Sequence, residues 1–338
     1  MNKIRIILIT LLVFILLNAI IVFLWPIRTN LKFANFSPYS QEYSNSLNLK
    51  KDEILDLYLE TWQRERLFEY QQYTGITESE SVDGKYVNIS KEKGRLVPNN
   101  PEFCERNVFF YGGENVFGYD VTDNQTIPFY FKDILESQNL EFCVFNFGRR
   151  TFFSTQENIL FQNHIYLQKI REGDLVIFID GDNEIGNNKI INTDFIEENY
   201  NELHQKYWKL YKVGIKNFLN LLPITQLYNV LFKRNNNQND HKFEEIKSQS
   251  DFREIVDVYK ININIRNLIC ENYQFNCYNI LFLSDPKKRD YFKRALVEKN
   301  LFELNNFEKK LLRNKFNSLN PESNNFLANE IFKLVSIN

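Results

Sequence analysis

"FFYGGENVFGYDVTDNQTIPFYFKDIL", residues 109–135, is an apolar run that breaks at Gly112-Gly113, meets Glu114, and continues into a helical pattern. A short β-prone run that closes on paired glycines, with an amphipathic stretch behind it, predicts strand, tight turn and helix. The first run is 107–111 (NVFFY), and the same plan recurs at 142–147 (FCVFNF), 174–180 (DLVIFID) and 278–283 (YNILFL). Helical patterns separate these runs, notably at 126–137 and 155–171. Alternation of this kind predicts an α/β fold, a three-layer doubly wound parallel sheet. In such sheets the ligand crevice lies beyond the carboxyl ends of the strands. "GGEN", "NFGRR" and "DGDNE" all fall there.

Outward from this core, residues 187–275 form a long insertion that is mostly helical by pattern and is broken at 233–242 by "KRNNNQNDHK". On the other side, 51–70 (KDEILDLYLETWQRERLFEY) reads as an amphipathic helix packed on a domain spanning 51–338. "GKYVNISKEKGR" follows as a short extended segment with turns, and the polar stretch 26–50 reads as a stalk. Before it, Ile6 to Trp25 is apolar except for Thr10 and Asn18, about the length that spans a bilayer as helix. No small-x-small cleavage site follows, so residues 1–25 are expected to be an uncleaved transmembrane signal anchor. Lys3 and Arg5, set against Arg28 and Lys32, orient the N-terminus to the cytoplasm and export the rest.

A formal net charge of −2 and 25% charged residues give no electrostatic footprint for nucleic acid. Cys104, Cys143, Cys270 and Cys277 lack the C-x-x-C spacing of zinc or thioredoxin-like sites. They leave open buried thiols or, after export, two disulfides in any of three pairings. The expected strand neighbours favour Cys104 with Cys143, and a short helix-to-strand connection favours Cys270 with Cys277.

Taken together, Gly112-Gly113-Glu114, Phe117-Gly118, "DNQTIP" (123–128), "NFGRRTFFSTQE" (146–157), "DLVIFIDGDNE" (174–184) and "KFNSLNPESNNFLANEIFKLV" (315–335) resemble the blocks of SGNH (GDSL-type) hydrolases. The branch most similar is membrane-anchored, bacterial and associated with surface polysaccharides. The resemblance implies an SGNH-hydrolase or flavodoxin-like sheet and an esterase or acyl-hydrolase ancestry. It also implies a place in the bacterial inner membrane with the main domain periplasmic, and a glycan or a polysaccharide-assembly protein as partner. No cofactor and no metal are implied.

Carried over position by position, the family's serine falls on Glu114, its triad acid on Lys315 and its imidazole on Ser318. The oxyanion-hole positions fall on Gly113, Gly148 (or Thr151 if the register slips) and Asn183. Serine hydrolysis needs a hydroxyl, a hydrogen-bonded imidazole to take its proton, and a carboxylate to orient the ring. Glu114 and Ser318 supply neither of the first two. A glutamate at this turn would also place a permanent anion against the donors meant for the transition state. The expectation is a degenerate hydrolase. A pair between Glu114 and Lys315 filling the vacated site is a further expectation.

The alternative is an active esterase or O-acyl hydrolase with relocated residues, or carboxylate chemistry pairing Glu114 with Asp182 or Glu184. Asp180, Asp182 and Glu184 also invite a calcium reading, but the run lacks the glycine and terminal glutamate of an EF-hand loop. His164, His204 and His241 read as packing or surface residues.

Overall fold

The computed structural model describes residues 9, 12–18, 39–62, 68–71, 75–78, 81–90, 92–101, 103–150, 152–186, 249–283, 292, 301–303, 313 and 318–335. In chain order the helices are α1 (Gln41–Ser46), α2 (Lys51–Trp62), α3 (Glu114–Phe117), α4 (Ile127–Ser137), α5 (Ser154–Tyr166), α6 (Asn183–Gly186), α7 (Gln249–Tyr273) and α8 (Pro321–Leu334). The strands are β1 (Phe68–Gln71), β2 (Gly75–Glu78), β3 (Ile89–Ser90), β4 (Gly94–Arg95), β5 (Arg106–Gly112), β6 (Phe142–Asn146), β7 (Leu175–Gly181), β8 (Asn276–Phe282) and β9 (Leu301–Glu303).

Seven strands form one sheet in the order β3-β4-β6-β5-β7-β8-β9. Every neighbouring pair is parallel except β3 with β4. The four apolar runs are β5, β6, β7 and β8, adjacent and parallel as expected. Numbering the strands from β5, the order is 2-1-3-4-5, the doubly wound arrangement whose crevice opens between the first and third strands.

Alternation along the strands fills two layers. Val108, Phe110, Ile177 and Ile179 pack to one side with Phe131 of α4 and Leu327 and Ile331 of α8. Phe109, Tyr111, Val176 and Phe178 pack to the other with Phe161 of α5 and Cys270 of α7. Thr126 caps α4 by accepting from Phe129 N, and Asn320 caps α8 by accepting from Ser323 N, each with proline in the first turn. These caps place both helices where the sequence turns apolar.

Two expectations need amendment. The single helix over 51–70 ends at Trp62, and Phe68–Gln71 pairs antiparallel with Gly75–Glu78, Tyr70 facing Ile76. Aromatic and β-branched residues there favour a ladder over continued helix. The stalk over 26–50 is part of the folded domain from Tyr39 onward, because Tyr39, Tyr43 and Leu47 are buried against Val87, Phe117 and Tyr119. The insertion contributes α7 at its end, while its residues 187–248 lie outside the described residues.

Among the described residues no helix is long and apolar enough to cross a membrane. Most of the span expected over 1–25 lies outside them. Residues 12–18 are helical, with Leu12, Ile15 and Leu16 exposed.

Both favoured disulfides are present: Cys104–Cys143 between neighbouring strands with Cα atoms 5.5 Å apart, and Cys270–Cys277 across the helix-to-strand connection with 6.0 Å.

Candidate functional site at the carboxyl ends of the central strands

β5 ends at Gly112, and Glu114 is the first residue of α3. β7 ends at Gly181, and Asn183 is the first residue of α6. The two turns adjoin. A Cβ on Gly113 would lie 2.4 Å from Asn183 Nδ2 and 3.0 Å from the Phe152 carbonyl oxygen, so a side chain there would push the Asn183 amide from its place. Asn183 Nδ2 donates to that carbonyl at 3.1 Å, which fixes the amide's orientation beside Gly113. Glu114, Asn183 and Asp182 are half-buried.

Gly148 approaches from β6. Its Cβ would meet Phe117 N at 2.3 Å, so it lets the segment after β6 lie directly on the backbone of α3. Asn146 locks this contact, donating through Nδ2 to the Val116 carbonyl and accepting from Gly148 N through Oδ1. Gly113 and Asn183 are therefore in direct apposition, and Gly148 supports the turn from behind.

Ser318, the residue at the imidazole position, lies elsewhere in function. It is 5% exposed, and its hydroxyl donates to Asp120 Oδ2 at 2.8 Å. Asp120 is buried, has a positive φ of 63°, and also accepts from Tyr39 Oη at 2.7 Å. Tyr43 Oη donates to the Leu319 carbonyl at 3.0 Å. The two tyrosines thus tie the entry segment to Asp120 and to the start of α8. Burial beside Asp120 pushes both phenols up, so they remain neutral donors. Lys315 and Thr151 lie outside the described residues, as do His204 and His241.

His164 is a packing residue. It lies 2.7 Å through Nδ1 from Tyr111 Oη in a hydrogen bond, with its ring against Phe147. Burial, reinforced by Lys169 and Arg149, pushes it down to about 3.

Asp180 and Glu184 of the acidic run are committed to structural bonds. Glu184 is fully buried. Its Oε1 accepts from Ser154 N at 2.6 Å and its Oε2 from Ser154 Oγ at 2.7 Å, so it is committed to the start of α5. Asp180 accepts from Arg266 at 2.6 and 3.1 Å and from Tyr259 Oη at 2.9 Å. Arg266 also reaches Glu157 Oε2 at 3.0 Å and lies over the Phe178 ring at 3.9 Å. Among the described residues Glu157, Asp180 and Glu184 have oxygens within 4.8 Å of one another. The guanidinium of Arg266 is already bonded to two of them.

The sequence reading passed over Glu157, Arg266, Asp120 and Tyr259. A signal existed for two of these. On α7, Val256, Tyr259, Ile263, Arg266 and Cys270 are all buried at helical spacing, so Arg266 is a charge on an apolar stripe. Glu157 holds the same place on α5 among Ser154, Asn158 and Phe161.

No protein-family model and no curated protein matches the chain. Among solved structures it is similar to that of a "putative lipolytic protein of G-D-S-L family" from Desulfitobacterium hafniense DCB-2. The match has 13% sequence identity and a TM-score of 0.37, over 68% of this chain and 99% of that one.

Proposed function

We propose that this protein is a membrane-anchored domain of SGNH-hydrolase-like architecture that has lost the serine triad and acts in binding or assembly of envelope polysaccharide. The observation that carries the loss of chemistry is the state of the triad positions. A glutamate begins the helix after β5, and the residue at the imidazole position is a buried serine hydrogen-bonded to Asp120. A buried hydroxyl cannot take a proton from a nucleophile, and His164, the one histidine among the described residues, is neutral beneath the sheet.

What remains is a recognition surface rather than a reaction centre. The Asn183 amide, the Gly113 turn, and the half-buried Glu114, Asn115 and Asp182 offer fixed donors and acceptors at the switch point. Such groups suit hydroxyl-rich ligands, and the polysaccharide class comes from the sequence resemblance. Anchoring is supported by the apolar run 6–25 and the exposed apolar helix over 12–18. Export is supported by two disulfides, which persist in oxidising compartments.

The test is titration of the full chain in detergent with fragments of envelope polysaccharide, followed by calorimetry or tryptophan fluorescence. Saturable binding that Asn183→Ala weakens at unchanged stability supports the reading. Absence of binding to every fragment, or binding indifferent to Asn183 and Glu114, contradicts it.

A further inference from the structure

Behind the crevice, three carboxylates and one guanidinium share a dry cluster. Glu157 comes from α5, Asp180 from β7, Glu184 from α6 and Arg266 from α7, and all four are 1% exposed or less. Were both Glu157 and Asp180 ionised, they would share the one Arg266 guanidinium between two buried anions, a state the interior of a protein resists. Among the described residues, the other groups with printed bonds to the cluster bring no charge. Tyr259 of α7 is held neutral by burial and by Asp180, and Asn158, Asn262, Asn279 and Ser154 are uncharged donors and acceptors. Protons must supply the balance.

The hydrogen bonds point to where one proton sits. Glu184 has both oxygens satisfied by Ser154, and Asp180 has both satisfied by Arg266. Glu157 uses Oε2 for Arg266, while Oε1 is buried with no donor. Glu157 Oε2 and Asp180 Oδ1 nevertheless meet on one nitrogen, Arg266 Nη2, at 3.0 and 3.1 Å. Two carboxylates in contact repel unless one of them donates.

We propose that Glu157 is a buried carboxylic acid that donates to Asp180, and that this proton latches the turn carrying Asn183 to helix α7 of the insertion. Asp180 and Glu184 flank that turn on either side of Asn183. Glu184 fastens it to α5, and Arg266 fastens Asp180 to α7. Removing the proton puts two anions against each other at the root of the crevice and loosens both attachments. Burial and the neighbouring Asp180 push Glu157 well above the usual carboxylate range, and push Glu184 up to about 8. A carboxyl raised on folding stabilises fully below its unfolded value near 4.5, and that contribution fades as pH rises through the folded value. The latch is closed at neutral pH and weakens in alkali, whether or not the crevice binds glycan.

Infrared difference spectroscopy of the full chain tests this through the carbonyl stretch of a protonated carboxylic acid. We expect that band at pH 7, its loss in Glu157→Gln, and a shallower fall of stability between pH 5 and 9 in that variant. Glutamine keeps a neutral donor toward Asp180 at every pH, so the variant should fold. A spectrum without the band, or a Glu157→Gln chain destabilised equally at all pH, overturns the proposal, because both mean an ionised Glu157. Saturable stabilisation by calcium or magnesium, lost in Glu157→Gln, also overturns it, since a cation would then balance the charge.

Discussion

Ser318 donates its hydroxyl to Asp120 Oδ2 at 2.8 Å, and that bond joins the start of α8 to the turn that follows α3. Tyr39 donates to the other oxygen of the same carboxylate. The position that the sequence resemblance gives to a catalytic imidazole thus belongs to a structural junction. Replacing Asp120 by alanine deprives two buried hydroxyls of this acceptor, and should destabilise the domain by about 2–4 kcal/mol. Ser318→Ala removes one donor and should lose only about 1 kcal/mol. Urea unfolding of the two variants checks the difference.

Arg266 is the cation that two buried acids, Glu157 and Asp180, share. Breaking a buried ion pair by removing one partner strands the other charges, at a loss of about 3–5 kcal/mol. Arg266→Met should therefore unfold at markedly lower denaturant, and the loss should be smaller in acid, where the acids are protonated. A Met variant as stable as the parent at pH 8 would show that the cluster is not charged as described.

The disulfides close loops of different length. The separation is 39 residues for Cys104–Cys143 and 7 for Cys270–Cys277. Loop-closure entropy then predicts about 4 kcal/mol from the first bridge and about 2 kcal/mol from the second. Paired Cys→Ser variants, unfolded by denaturant, should rank in that order.

His164 sets the acid limit. Its folded value near 3 lies below its ordinary 6.5, so folding releases a proton between those pH values. Stability from the neutral ring is fully present above pH 6.5 and is lost as pH falls, by about 1.4 kcal/mol per unit. His164→Gln, which stays neutral and keeps an amide for Tyr111, should flatten the decline between pH 6.5 and 3. An unchanged slope would assign the acid sensitivity to other groups.

Much of the fold was legible because β5 to β8 are buried on both faces and read as continuous apolar runs. The Gly113–Asn183 apposition was legible because both residues follow strands at the switch point. The hairpin at 68–78 was not, since Leu67 and Phe68 continue the apolar face of α2 and only the pairing of β1 with β2 sets the segment apart. Tyr39 and Tyr43 looked like stalk because their partners, Asp120 and Leu319, lie 81 and 276 residues away. Arg266 meets Asp180 across 86 residues, so spacing could mark it as odd but not name its partner. The pairing of Glu114 with Lys315 turns on Lys315, which lies outside the described residues.

The most direct measurement of the account is activity at the crevice itself. The purified domain from Tyr39 onward, or the full chain in detergent, is exposed to a serine-directed fluorophosphonate and to short acyl esters. No labelling is expected, and ester turnover no greater than that of a Glu114→Ala control. Labelling abolished by changing one serine, with turnover lost in parallel, would contradict it.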